Sequence, residues 1–103
     1  MSGQHTPAPW KARFEKVRYV IFVEGEVGEK ALATTGGAWP DSEANARLIA
    51  AAPDLLEALQ ECAADLEAEI EARRGAVLER TMERDLATVR KARAAIAKAT
   101  GAA

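Results

Sequence analysis

The stretch Asp41–Leu66, DSEANARLIAAAPDLLEALQECAADL, contains the strongest helix signals of the chain. Asp41 is placed as an N-cap, since its carboxylate can accept a backbone N–H from the first turn, and Glu43 suits the positive end of the helix dipole. Pro53 interrupts the pattern that follows, because proline disfavours helical backbone at the preceding residue and suits the first turn of a new helix. The sequence therefore predicts two helices here, with a break at Ala52–Pro53.

Each of these two predicted helices has an apolar face. On the first helix, the residues expected to share a face are Ala44, Leu48, Ala51 and Ala52, with Ile49 beside them. On the second, steps of three and four residues make the stripe that a core-facing helix requires. Its members are Leu55, Leu56, Leu59, Cys62, Ala63, Leu66 and Ile70. We therefore interpret Cys62 as a small core residue and not as a nucleophile.

A third helix is predicted after a short connection. Arg73-Arg74-Gly75 indicates the end of the second helix, because glycine terminates helices and cations are favourable near a helix C-terminus. The third helix is expected to run from Val77 or Glu79 to Ala99. Its apolar stripe consists of Leu78, Met82, Leu86, Val89 and Ile96, with Ala92 between the last two.

A β region precedes the helices. Phe14 to Val23 reads as one strand, in which Val17, Tyr19, Ile21 and Val23 alternate on one face. A turn is expected over Glu24–Glu29 and a returning strand over Lys30–Thr35. The predicted fold class is α+β: a short antiparallel β-hairpin or small sheet followed by three helices, the last two an antiparallel helical hairpin. We expect a single domain over 1–103, with a flexible tail (1–9), a β region (10–38) and a helical region (41–100).

Two sequence boxes resemble a known family. The first is His5-Thr6-Pro7-Ala8-Pro9-Trp10, and the second is the segment NARLIAAAPDLLEAL, which begins at Asn45 and ends at Leu59. Together with the short β region between them, they resemble a family of small proteins encoded by phages and prophages. The resemblance implies a phage or prophage origin and a location in the host cytoplasm. It implies no settled biochemical activity, so it assigns no catalytic residue.

Composition limits the function classes further. The formal net charge of −2 argues against a general nucleic-acid binder or a membrane-surface binder. The one cysteine cannot form an internal disulfide, which fits a reducing compartment. No apolar run approaches the roughly 20 residues that span a bilayer, so we expect a soluble, cytoplasmic protein. Aromatic residues make up only 5% of the chain, and a homodimer would bury more of its thin apolar faces.

Charge is segregated between the last two predicted helices. The charged residues from Leu48 to Ala72 are all acidic: Asp54, Glu57, Glu61, Asp65, Glu67, Glu69 and Glu71. Those from Arg73 to Lys98 are mostly basic: Arg73, Arg74, Arg80, Arg84, Arg90, Lys91, Arg93 and Lys98, against Glu79, Glu83 and Asp85. An antiparallel hairpin would place the two sets side by side, within one chain or between two chains.

Several residues are candidates for contact with a partner. Glu57, Glu61 and Asp65 are four residues apart and line one edge of the acidic helix, which suits a basic partner. Asn45 and Arg47 are the polar members of the second box, with side-chain bonds to the hairpin loop as the structural alternative. Trp10 and Trp39 are candidates because tryptophan is enriched in interface hot spots, with core packing as the alternative.

No catalytic site, cofactor or metal site is predicted. The only histidine, His5, has no second histidine or nearby cysteine to complete a metal site, and no Ser/His/Asp arrangement is formed. We expect a non-catalytic binding protein that inhibits a host defence protein or complex, for example an anti-CRISPR protein. One alternative is a nucleic-acid-binding regulator that uses Arg80, Arg84, Arg90, Lys91 and Arg93 of the third helix. The other is an oligomeric sponge for a signalling nucleotide.

Overall fold

The computed structural model describes residues 5–25, 27–36, 40–75 and 79–101. The chain forms three strands and then two helices: β1 (Lys11–Glu15), β2 (Arg18–Gly25), β3 (Gly28–Thr35), α1 (Ser42–Ala72) and α2 (Glu79–Thr100). The predicted α+β class and the helical hairpin are confirmed, whereas the prediction of three helices is wrong. Two compact units are present, which we call the sheet unit (Thr6–Leu55) and the helical unit (Leu56–Ala103, with the first five residues).

The strands form one antiparallel sheet in the order β1-β2-β3. Glu15 pairs with Arg18, so Lys16 and Val17 form a two-residue loop in which Lys16 has a positive φ of 60°. The single strand predicted over Phe14–Val23 is therefore wrong, because this loop divides it. Tight hairpin loops require such backbone angles and usually take them from Gly or Asn. Lysine and valine gave no turn signal, so the alternating pattern looked continuous.

The second hairpin has the predicted turn. Gly25 pairs with Gly28, whose φ of 115° suits glycine, and the returning strand begins there, two residues before the predicted start. Glu26, part of the predicted turn, lies outside the described residues. The register between β2 and β3 shifts between Ile21 and Phe22, which leaves Leu32 as the extra residue of a β-bulge.

The start of α1 is fastened to the end of β3. The Ser42 hydroxyl donates to the Gly36 carbonyl (2.9 Å), and the Thr35 hydroxyl donates to the Ser42 carbonyl (3.5 Å). Since Thr35 pairs with Tyr19, its side chain lies on the same sheet face as Ile21, which is fully buried. The helix start therefore lies at the end of β3, on the Ile21 side of the sheet. The backbone N–H of Asn45 donates to the Asp41 carbonyl, which confirms Asp41 at the N-cap position.

Helix α1 continues through Pro53, so the break predicted at Ala52–Pro53 is wrong. Proline removes one N–H, and the alanines before it are the best helix formers. In the sheet unit the helix buries Ser42, Ala46 and Pro53 and half-buries Ile49. The predicted face of Ala44, Leu48, Ala51 and Ala52 is therefore wrong, because the buried face lies on the opposite side of the helix, and Leu48 is 62% exposed. Pro53 belongs to the apolar stripe instead of interrupting it.

The helical unit is an antiparallel helical hairpin. Its α1 part buries Ala63 and Ile70 and half-buries Leu56, Leu59 and Leu66, in steps of three and four. Its α2 part buries Val89 and Ile96 and half-buries Met82, Leu86 and Ala92, as predicted, while Leu78 lies outside the described residues. Helix α1 ends at Ala72, before the predicted Arg73-Arg74-Gly75 terminator, in which Gly75 has a φ of 88°.

Candidate functional site

Three carboxylates form a row on the outer side of α1 in the helical unit. This acidic row consists of Glu57, Glu61 and Asp65, which are all exposed. Four residues advance an α-helix by about 6 Å and slightly more than one turn, so the three side chains share one side and span about 12 Å. At 100° per residue, that side lies opposite to the stripe that contains Ala63 and Ile70. The geometry of the predicted edge is therefore present.

The acidic row carries uncompensated charge. Within the described residues, none of its three members forms an ion pair. The acids that follow it on α1 differ: Glu67 pairs with Arg93, Glu69 with Arg73 (2.5 Å), and Glu71 with Arg74 (3.0 Å). The row is thus a surface of concentrated negative charge that is free to attract a cationic partner.

The predicted charge complementarity of the hairpin is concentrated in the contact between Glu67 and Arg93. A hydrogen bond from the Arg93 guanidinium to the Glu67 carboxylate joins α1 to α2, and this bond raises the pKa of Arg93. The ion pairs of Arg73 and Arg74, by contrast, join residues three or four positions apart at the end of α1. Most of the segregated charge therefore faces solvent.

Four of the exposed cations of α2 form a second row. This basic row consists of Arg80, Arg84, Lys91 and Lys98, which are all exposed and fall within about 40° of one another around the helix axis. It lies opposite to the stripe that contains Val89 and Ile96. Arg84 lies 4.0 Å from Asp85, the next residue of its own helix. The helical unit thus presents acids on the outer side of one helix and bases on the outer side of the other.

The residues of the second box lie near the start of α1. Arg47 is exposed and pairs with Glu43, one turn earlier on the same helix. Asn45 is exposed and lines a shallow depression of about 410 Å³ with Thr35, Gly36, Asp41, Ser42, Leu48 and Ile49. Neither residue belongs to the acidic row, so the sheet unit contributes a separate polar surface.

The structure describes one of the two tryptophan candidates. Trp10 is half-buried, and its indole N–H donates to the Thr6 carbonyl (2.9 Å), which ties the first box to the beginning of β1. Both alternatives for Trp10, core packing and contact with a partner, stay predictions. Trp39 lies outside the described residues.

Cys62 is exposed, and the prediction that it is a core residue is wrong. The buried stripe passes through Leu59 and Ala63, which places Cys62 beside it. The described residues contain no group of three His, Cys, Asp or Glu side chains that could hold a metal ion. No helix among them is long and apolar enough to cross a membrane.

A charge cluster on the sheet was not predicted from the sequence. Arg13 on β1 donates to Glu15 (3.1 Å) and to Glu29 on β3 (2.7 Å), and Lys11 pairs with Glu24 (3.2 Å). The two carboxylates raise the pKa of Arg13, and Arg13 lowers that of Glu29. Since the prediction began the strand at Phe14, it left Arg13 outside the sheet. The alternation of Lys11, Arg13 and Glu15 was the signal that could have revealed this face.

One groove between the two helices of the hairpin is small. The groove lined by Leu66, Glu69, Ile70, Arg73, Met82 and Asp85 measures about 70 Å³. Ligand pockets usually measure about 300–1,000 Å³, so this groove does not fit a nucleotide.

Comparison with known proteins identifies a family. A family model described as Salmonella phage P22 protein Y8K6 matches residues 1–103. Neither a curated protein nor a solved structure matches the chain.

Proposed function

The chain belongs to the family of Salmonella phage P22 protein Y8K6, and from this premise we propose that it is a non-catalytic binding protein that inhibits a host defence system. The acidic row is the observation that carries this proposal. Glu57, Glu61 and Asp65 are exposed, aligned and without an ion pair among the described residues. A protein that blocks another needs only a rigid surface complementary to its target, and a helix provides one.

The target surface that fits the acidic row is a nucleic-acid-binding groove. Such grooves neutralise phosphates with Lys and Arg side chains. A row of carboxylates spaced about 6 Å apart is negatively charged like a row of phosphates, so the Lys and Arg side chains of the groove can bind it in the same way. An anti-CRISPR protein that occupies the nucleic-acid channel of its effector is the example we favour. The attraction is electrostatic, so association should be fast at low salt and slow at high salt.

A phage-protection assay tests this proposal. Bacteria that carry a defined defence system, such as a CRISPR–Cas system, express the protein and are challenged with a phage that the system targets. The variant E57Q/E61Q/D65N removes the charge of the acidic row, and the matched control E43Q/E69Q/E71Q removes the same charge from paired acids of α1. We expect protection with the wild type and the control and its loss with the acidic-row variant. Equal protection by both variants would exclude the acidic row as the surface that contacts the target.

The basic row supports a second candidate function, binding to nucleic acid as a regulator. Arg80, Arg84 and Lys91 are exposed on the outer side of α2, although Arg93 is engaged by Glu67. When such cations neutralise phosphates, the affinity for duplex DNA falls as the salt concentration rises, and it falls more steeply with each phosphate contacted. Gel-shift titration of duplex DNA at low and moderate salt distinguishes the candidates. Binding that is lost in R80E/R84E/K91E supports the regulator, whereas no binding at low salt excludes it.

A further inference from the structure

The sheet unit has a second apolar row on α1, separate from the buried stripe. This row, which we call the exposed row, consists of Ala44, Leu48, Ala51 and Leu55, in steps of four, three and four residues; Ala51 is half-buried and the other three are exposed. Leu48 is 62% exposed and Leu55 is 52% exposed. At 100° per residue, the row lies on the side of α1 opposite to Ser42, Ala46, Ile49 and Pro53, which face the interior. Two leucines one heptad apart are thus presented to solvent.

The spacing of the exposed row is that of a coiled-coil seam. Leucines at one heptad position alternate with alanines at the other, and such positions pack as knobs into the holes of a facing helix. The solvent side of a surface helix is usually polar, so an apolar row with this period indicates that another helix covers it.

We propose that the exposed row is the contact surface for a second copy of this chain, with the two α1 helices antiparallel. A two-fold axis between positions 48 and 51 places Leu48 against Ala51 of the second copy and Leu55 against its Ala44. Every layer then pairs one large side chain with one small one, as close packing requires. A parallel pair would instead align leucine with leucine and alanine with alanine, which leaves voids between the alanines.

The charges that flank the exposed row favour the same arrangement. Arg47 and Asp54 lie on one side of it, each next to a leucine, and both are exposed. In the antiparallel register Arg47 of one copy faces Asp54 of the other, and symmetry repeats this contact. Arg47 also pairs with Glu43 of its own helix. The surface is therefore self-complementary in both size and charge.

This inference goes beyond the proposed function, because the acidic row is not part of the seam. Sedimentation velocity over a concentration series up to several hundred micromolar tests it first. The wild type should form dimers with rising concentration, and L48E/L55E should remain monomeric. The control V17E/V27E adds the same two charges at exposed valines of the hairpin loops and should dimerise like the wild type. A wild type that stays monomeric throughout, or an L48E/L55E variant that still dimerises, overturns the proposal.

Charge swapping tests the register. R47D and D54R should each raise the dimer dissociation constant by about fivefold, because each sets like charges against each other across the seam. The double variant R47D/D54R restores opposite charges in both symmetric contacts and should recover the wild-type value. Additive weakening in the double variant would overturn the register.

Cross-linking tests the orientation. In a C62S background, L48C and A51C are prepared separately and then oxidised alone or mixed. The antiparallel pair predicts a disulfide-linked dimer in the mixture and little in either protein alone, since Leu48 faces Ala51 of the second copy. Efficient cross-linking of L48C with itself would indicate parallel helices and overturn the proposed arrangement.

Discussion

The guanidinium carbon of Arg13 lies 4.5 Å from the centre of the Phe22 ring, on the face of the sheet opposite to Ile21. Phe22 is buried on this face even though it points away from the fully buried Ile21. Arg13 therefore covers an apolar ring with a cation, and Glu15 and Glu29 hold the guanidinium in place. Because Arg13 starts on β1, crosses β2 and reaches Glu29 on β3, one side chain links all three strands.

Replacement of Arg13 should weaken the sheet unit. Arg13→Ala removes the cation over Phe22 and both hydrogen bonds to carboxylates, and we expect Tm to fall by about 3 °C. Arg13→Lys keeps the charge but loses the planar group that stacks on the ring, so its Tm should lie between that of Arg13→Ala and that of the wild type. Thermal denaturation followed by circular dichroism measures both changes. A Tm for Arg13→Ala equal to that of the wild type would contradict this role.

The same cluster should make stability depend on acid. The hydrogen bond from Arg13, together with the charges of Arg13 and Lys11, lowers the pKa of the Glu29 carboxyl in the folded protein. A lowered folded-state pKa stabilises the fold above the unfolded pKa of about 4.3, and this contribution is lost as the pH falls through the folded-state value. Between neutral pH and about pH 3, the Tm of Glu29→Gln should therefore fall by less than the Tm of the wild type. Glu83→Gln, at an exposed position of α2, is the control and should follow the wild type.

The sequence predicted the fold class and the helical hairpin because those features rest on strong local signals. The α2 stripe and the glycine after Arg74 have standard helical spacing and terminator chemistry. The Lys16–Val17 loop carries no such signal, since its positive φ is imposed by strand pairing and not by residue type. Strand pairing is a non-local effect that a pattern along the chain does not contain.

Of the candidate site, the sequence predicted the acidic row but not the buried face of α1. The acidic row follows from spacing alone, because four residues make about one helical turn. Spacing alone does not decide which apolar residues face the interior. Leu48 and Ala46 belong to opposite faces of α1, both of which carry apolar residues, and only the packing of the sheet unit buries Ala46 and exposes Leu48. The same ambiguity placed Cys62 in the core.

Pro53 offers a test of the single helix α1. Pro53→Ala restores the N–H that can bond to the Ile49 carbonyl and removes a ring clash of about 3 kcal/mol, but it loses about 1–2 kcal/mol of ring burial. We expect a net stabilisation of about 1–2 kcal/mol in urea denaturation. Ala52→Gly, at an exposed position of the same turn, should destabilise by about 1 kcal/mol. A chain with a break at Ala52–Pro53 would show neither effect.

Ile70 and Cys62 together test which face of α1 packs in the helical unit. Ile70 is 5% exposed, so Ile70→Ala should leave a cavity and cost about 2–4 kcal/mol in urea denaturation. Cys62 is exposed, and Cys62→Ala should change stability by less than about 0.5 kcal/mol. The native thiol should also react readily with an aromatic disulfide reagent, because Cys62 is exposed. A slow native reaction combined with a large cost for Cys62→Ala would require α1 to be rotated about its axis, which would turn the acidic row toward α2.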